Sequence, residues 1–267
     1  DYDRWAASGL NGWSYAEVLP YFRRSEDWEG GPDNWRGSGG PLTVSKTTFE
    51  DPLCEALLSA ASDAQYSFTD DYNGENPDGF ARMQATLRHG RRWSAAAAYL
   101  RPALARPNLT VRTNSLVERI EMEGIRATGI RYSRRGRSTS AQATNEVILS
   151  GGTINSPHLL LLSGIGHPDH LHDHGIDVVL PLNGVGQNLA DHTSSAFIFS
   201  RHDGGPFQEN MRLDRVVASL IRAYLGKGGF ASDLPFGITA FLKTTPDAPA
   251  PDIQMLFWMG ATTTASP

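Results

Sequence analysis

The sequence holds a single cysteine, Cys54, in 267 residues. No disulfide can form within the chain, and a lone thiol suits a reducing compartment, which points to a cytoplasmic protein. Long apolar runs are missing too. No run, Leu159 to Leu162 among them, approaches the roughly 20 residues that a membrane helix requires. Basic charge is not in excess: 24 Lys and Arg stand against 29 Asp and Glu, for a formal net charge of -5. That argues against a nucleic-acid partner, which would select for a basic face. No Met opens the chain, and Asp1-Tyr2-Asp3-Arg4-Trp5 has no basic-then-apolar leader pattern. Both ends, Asp1-Tyr2-Asp3 and Thr264-Ala265-Ser266-Pro267, read as cuts through a longer protein.

Several catalytic and binding signatures are also absent. The dinucleotide fingerprint G-x-G-x-x-G is not completed anywhere. Gly164-Ile165-Gly166 meets Asp169 where its third glycine should stand, and Gly184-Val185-Gly186 meets Leu189. No G-x-S-x-G elbow exists, so a serine-hydrolase reading lacks its anchor. Asp70-Asp71 lacks the alternating ligand order of a calcium loop. There is no internal repeat and no low-complexity tract.

What remains is an ordinary globular composition, 40% hydrophobic and 20% charged, heavily punctuated by 27 Gly and 16 Pro. Ser14 and Glu17 form a capping box opening a helix whose apolar face is Val18, Leu19, Tyr21 and Phe22, with Pro20 kinking or ending it. Leu42 to Val44 reads as a strand. Asp51-Pro52 starts a helix through about Ala61, and residues 70–79 read as a loop. Ser94 caps an Ala-rich helix over 95–105, interrupted at Pro102. The period then changes: Leu109–Thr113, Leu116–Glu121 and Ala127–Tyr132 read as an antiparallel meander. Val147–Leu149 reads as a strand running into Gly151-Gly152. A helix follows, capped by Asn155 or Ser156, with Pro157 in its first turn and Gly164 as its stop. Leu213, Val216, Val217, Leu220, Ile221, Tyr224 and Leu225 mark an amphipathic helix. Ile238–Leu242 and Ile253–Trp258 read as strands. An α/β section thus mixes with an α+β section, in two intertwined domains.

Four features can carry chemistry. The strand–Gly–Gly–helix unit at Gly151-Gly152 offers exposed amides and a close backbone approach, the geometry that holds nucleotides; an ordinary strand-to-helix turn is the plainer reading. His167, His170, His172 and His174 offer metal-ligand chemistry, yet only His170 and His174 share a helical face. A polar surface turn is the better reading. Asp191-His192 organises a loop by hydrogen bonds or supports a cofactor. Cys54 sits in an apolar helix, where an inert buried thiol is the default. Trp13, Trp35, Trp93 and Trp258 read as core or interface residues.

Several segments together resemble the glucose–methanol–choline oxidoreductases. The run Gly152-Thr153-Ile154-Asn155-Ser156-Pro157-His158-Leu159-Leu160-Leu161-Leu162-Ser163-Gly164-Ile165-Gly166 is similar to that family's second signature. Gly184 to His192 looks like its following loop. Gly90-Arg91-Arg92-Trp93-Ser94 with Ala98-Tyr99-Leu100-Arg101-Pro102 resembles the stretch before its meander. Asp1 to Trp5 and Trp13 to Phe22 resemble the stretch after its flavin-attachment region, and Asp252-Ile253-Gln254 a strand start of its substrate domain.

The resemblance implies an α/β fold: an incomplete Rossmann-like FAD-binding domain carrying an antiparallel meander, plus part of an α+β substrate domain with an antiparallel sheet. It assigns 1–34 and 71–91 to the cofactor interface, 92–190 to the FAD-binding part, and 35–70 and 191–267 to the substrate part. It implies FAD as cofactor and a small alcohol as substrate, of the choline or aliphatic type, with hydride passing to flavin N5. Val117 matches the position whose backbone holds the adenine edge. Gly151 and Gly152 match the turn near the adenosine ribose, and Asp191 and His192 fall in the cofactor loop. No catalytic residue and no metal ligand transfers, because the family's late catalytic His has no counterpart here. The expectation is a chain inactive alone, binding FAD poorly, with apolar surface left open. A cyanohydrin-cleaving lyase that keeps FAD for structure, or a non-catalytic fragment, are the alternatives.

Overall fold

The computed structural model describes residues 1–202, 205–226, 228–233 and 235–260. The chain divides into two compact units, one made of residues 1–106 and 199–267, the other of residues 107–198. The first unit is thus discontinuous, with the second inserted into it.

The first unit opens with α1 (Tyr2–Ala7) and α2 (Tyr15–Ser25). The Glu17 carboxylate accepts both the Ser14 N–H at 3.1 Å and the Ser14 hydroxyl at 2.6 Å, closing the N-terminus as the capping box requires. Pro20 does not end α2, which runs five residues beyond it; its ring removes one N–H, and the flanking turns carry the helix past. Then come β1 (Glu26–Trp28), β2 (Leu42–Lys46), α3 (Pro52–Asp63), β3 (Gly79–Arg82), β4 (Gln84–Ala85), β5 (Leu87–Arg88) and β6 (Arg91–Arg92). Asp51 caps α3, its carboxylate accepting the Leu53 N–H at 2.9 Å. The Ala-rich segment differs from the regular helix read from sequence. It is a π-helical turn over Ala96–Leu100 running into a single turn, α4 (Arg101–Ala103). Pro102 has no N–H for the Ala98 carbonyl, so the ladder widens just before it.

The second unit holds β7 (Ser115–Glu123), β8 (Arg126–Arg134), β9 (Arg137–Gln142), α5 (Gly152–Leu162), β10 (Ile165–Gly166), α6 (Pro168–Asp173) and β11 (Leu180–Pro181). The antiparallel meander exists, and two of its strands fall where the sequence placed them, Leu116–Glu121 within β7 and Ala127–Tyr132 within β8; the third does not. Strand order is β7-β8-β9. Leu109–Thr113 forms no strand, and the third place goes to β9, Arg-Ser-Thr-Ser-Ala-Gln, exposed along its whole length. Such a strand has no apolar alternation to betray it. Val147–Leu149 likewise pairs with no described strand, and Ile148 is 76% exposed.

The chain returns to the first unit with α7 (Gly205–Asn210), α8 (Leu213–Tyr224), a 3-10 turn at Phe230–Ser232, β12 (Phe236–Leu242) and β13 (Ile253–Trp258). Here β12 lies between β13 and β3, antiparallel to both. The core forms where α3 packs on this sheet: Cys54, Ala61, Phe80, Ile238 and Ala240 are buried, with Leu57, Leu58, Leu242 and Phe257 against them. Burying a side chain such as Ile238 contributes about 1.5–3 kcal/mol. Gly237 is fixed by close approach, since a Cβ there would lie 2.5 Å from Cys54 Sγ. Burial pushes the Cys54 thiol pKa up, as an inert core cysteine requires.

Helix α8 forms where the pattern placed it, yet its apolar stripe is not its packed face. Leu213, Leu220, Ile221 and Tyr224 are exposed, while Ser219 and Ala223 are buried. Trp13 and Trp258 are also half exposed; the buried tryptophan is Trp28. Among the described residues, no helix is long and apolar enough to cross a membrane.

Candidate cofactor-binding site

The proposed site residues all fall in the second unit. Val117 lies on β7, the edge strand of the meander. Opposed residues run Val117 to Tyr132, Arg119 to Arg131 and Ile120 to Ile130. Glu118 is therefore one residue too many on β7, a bulge. Its hold is a hydrogen bond from Ser138 Oγ on β9 to Glu118 Oε2, at 2.7 Å.

The bulge sets the direction of Val117. Ile130 and Tyr132 are two apart on β8 and share a face, so their partners Ile120 and Val117 share it too. The Ile120 N–H leaves the sheet edge and is accepted by Ser163 Oγ at 2.8 Å. Opposed pairs in an antiparallel ladder alternate between bonded and non-bonded. Ile120–Ile130 is non-bonded, and so is Val117–Tyr132, one alternation further along β8. The N–H and C=O of Val117 therefore project from the free edge of β7. Tyr132 beneath is 4% exposed, and its hydroxyl accepts from the Arg112 guanidinium.

Helix α5 packs against β7. It starts earlier than the sequence suggested, at Gly152 rather than after Asn155 or Ser156, and Pro157 lies in its middle. The reason is local. Ser156 Oγ turns back from the second turn to accept the N–H of Gly151, the residue before the helix, at 3.0 Å, which satisfies an amide that has no partner in the helix. Gly152 takes φ +82°, a conformation that suits glycine, and a Cβ there would meet nothing within 4 Å. A Cβ on Gly151 would instead press on Asn155 and Ser156 at 3.2–3.3 Å. Both glycines are exposed. This end of α5 thus presents open backbone in front of Gly152.

The other end of α5 is clamped. Ser163 donates to the Leu159 carbonyl at 2.6 Å while accepting from Ile120. Gly164, at φ +78°, ends the helix, and its carbonyl accepts the Val179 and Leu180 N–H groups. The loop from Gly184 comes to the same end, where Gly186 lies close to Leu161. Asp191 and His192 follow it and are exposed, with Asp191 Oδ1 accepting the His192 N–H at 2.8 Å. The carboxylate is committed to its own loop. The structure thus joins the Val117 strand and the Gly151-Gly152 helix through one packed pair of elements, and sets Asp191-His192 on the loop that follows.

Sequence reasoning missed Ser163 and the Glu118 bulge. A polar residue four positions after Leu159, just before a stopping glycine, was the available sign of the clamp. On the outer face of β7, Glu121 accepts from Ser140 at 2.6 Å, and from Gln142 and Arg131. The Ser140 hydrogen bond, with Arg131 and Gln142 adding to it, holds its carboxyl below the usual range.

Known proteins share the sequence and fold of this chain. Residues 1–194 match the model of the GMC oxidoreductase family. The chain is 44% identical over 259 residues to an oxygen-dependent choline dehydrogenase of Sinorhizobium fredii, covering 96% of this chain and 47% of that protein. It is 44% identical over 263 residues to the mitochondrial choline dehydrogenase of Homo sapiens, covering 96% of this chain and 43% of that protein. The chain therefore spans about half the length of the curated relatives it matches. A solved formate oxidase of Aspergillus oryzae shares the fold, with a TM-score of 0.81 over 91% of this chain and 44% of that one, at 24% identity. The chain belongs to the GMC oxidoreductase family.

Proposed function

We propose that this chain is the adenosine-holding and partial substrate-domain portion of an FAD-dependent oxidoreductase acting on a small alcohol, of the choline class. The outward N–H and C=O of Val117 carry the reading, because a donor and an acceptor side by side on a strand edge match the edge of an adenine. The residues present fit the group. Gly152 leaves open backbone at a helix N-terminus, where a dinucleotide's sugar and phosphate can approach, and the Ser163 clamp keeps that helix fixed to the Val117 strand. Two relatives named as choline dehydrogenases at 44% identity support the substrate class.

Under this reading residues 92–190 supply the FAD-binding part, 35–70 and 191–267 the substrate part, and 1–34 and 71–91 the interface. Bound FAD supplies the hydride acceptor. The chain's own residues bind and orient: Val117 reads the adenine edge, Gly151 and Gly152 admit the ribose, and the Asp191-His192 loop supports the cofactor. No residue here is assigned the proton transfer of the reaction.

The test is direct. The full-length protein should purify with flavin absorbance and reduce a dye acceptor when given choline. A full-length protein without flavin, or one that turns over no alcohol, overturns the reading.

A further inference from the structure

The four histidines between 167 and 174 do not form a cage. Among the described residues, no three His, Cys, Asp or Glu side chains are grouped to hold a metal ion. Two of them are nonetheless brought together. His170 lies in α6 and His174 caps its C-terminus, and their rings meet edge-to-face, 76° apart in plane, with centroids 4.8 Å apart. Both are exposed.

That separation lies in the range of an ordinary ring contact and also meets the spacing that a chelate needs. A divalent ion sits about 2.0–2.1 Å from an imidazole nitrogen, which places it about 3.2 Å from the ring centroid. Two rings bound cis to one ion then have centroids about 4.5 Å apart for a right angle and about 5.2 Å for a tetrahedral one. The observed 4.8 Å falls between these limits. The spacing follows from the sequence, since residues four apart stand one turn above one another on a helix. Turning each ring about its own bonds aims one nitrogen at the shared point, and both side chains have solvent in which to turn. Asp169 and Asp173 place negative charge on the same short segment. His172 lies two positions from each and is excluded from the pair.

We propose that His170 and His174 form an exposed two-imidazole chelate for a first-row divalent transition metal, with water filling the remaining positions. Imidazole pairs suit copper, nickel and zinc, and a site without imposed geometry follows the order in which copper binds tighter than nickel or zinc. Magnesium and calcium, which demand oxygen ligands, are not held.

The experiment titrates the tag-free, chelator-treated chain with Cu2+ and with Ni2+ by calorimetry, in a non-coordinating buffer at one fixed pH. One ion per chain is expected, with Cu2+ the tighter. H170A and H174A should each weaken Cu2+ binding on the order of 100-fold by removing one of two linked attachment points. H167A and H172A should leave it unchanged. The Cu2+ electron paramagnetic resonance spectrum should show coupling to two equatorial nitrogens in the wild type and to one in either single variant. No Cu2+ binding at about 1 mM, or wild-type affinity in H170A or H174A, overturns the proposal. Equal loss in H172A would do the same, since it would show diffuse binding by the whole His-rich segment.

Discussion

Ser163 and Ile120, 43 residues apart in the chain, are joined by a buried hydrogen bond in which the Ile120 main-chain N–H donates to Ser163 Oγ at 2.8 Å. The same hydroxyl donates to the Leu159 carbonyl. One side chain therefore ties the end of α5 to the edge of β7, so the position of the Gly151-Gly152 turn relative to Val117 passes through it. Ser163→Ala removes the acceptor and leaves the Ile120 N–H buried without a partner. The expected cost is about 1–3 kcal/mol. Hydrogen exchange at the Ile120 amide reads it most directly. Unchanged protection of that amide in the variant would show that the clamp contributes nothing.

A second prediction concerns Arg36, 2% exposed in the first unit. Its guanidinium donates to both Glu26 oxygens at 2.7 and 3.0 Å, to Asp71 at 2.5 Å and to Gln84 at 3.0 Å, while lying 4.1 Å over the Trp28 ring. Arg36→Met leaves two largely buried carboxylates without their cation, a loss of about 3–5 kcal/mol. Arg36→Lys keeps the charge but cannot reproduce the fork, so it should fall between wild type and Met. Thermal melts of the three proteins check the order.

These two residues also mark where the sequence stops being legible. The capping box at Ser14-Glu17 and the Asp51-Pro52 start were readable because each is settled within four residues. Strands β12 and β13 were readable because their apolar texture is paired with real neighbours. Leu109–Thr113 and Val147–Leu149 have the same texture and no strand partner among the described residues, and propensity alone does not make a strand. Strand β9 reverses the case: it has partners and no texture. Arg36 gathers groups 10, 35 and 48 residues away, and no local pattern announces such a hub. At the candidate site, the identity of Val117 came from family resemblance, while the two glycines were already marked by the strand–Gly–Gly–helix pattern and took their ribose role from the resemblance. The Glu118 bulge that aims Val117 is a matter of register, which only the pairing reveals.

The meander should loosen in acid through Glu121. Its carboxyl is held below the ordinary value of 4.5, with the Ser140 hydroxyl as the largest cause. A carboxyl depressed in the folded state stabilises that state fully above its unfolded pKa, and the contribution is lost as pH falls through the folded pKa. The window therefore lies below about pH 4.5. There Ser140, Gln142 and Arg131 lose their ionised acceptor. Amide exchange in β9 should accelerate in that window for wild type, and Glu121→Gln should flatten the response. A pH-independent β9, or an equal response in Glu121→Gln, would contradict this.

Gly152 offers a test of the turn. Gly152→Ala meets no atom within 4 Å, so any effect comes from its φ of +82°. An alanine there costs about 1–2 kcal/mol, enough to shift the first turn of α5. The full-length variant should remain folded and lose flavin occupancy. Gly151→Ala instead presses on Asn155 and Ser156 and should act through stability. Circular dichroism beside flavin content separates the two effects.

The direction of the Val117 backbone can be tested with a residue that has no N–H. Proline in a strand removes a ladder hydrogen bond when its N–H position faces a neighbour, and removes none when it faces off a free edge. Bulge parity puts the Val117 N–H on the free side, so Val117→Pro should leave the meander intact. In the full-length protein the same change deletes the donor proposed for adenine and keeps the acceptor. FAD affinity should then fall about tenfold, the worth of one hydrogen bond. An unfolded meander would show that the N–H belongs to the β7–β8 ladder and that the parity argument is wrong. An intact meander with unchanged FAD affinity would keep the geometry and remove the adenine contact from it.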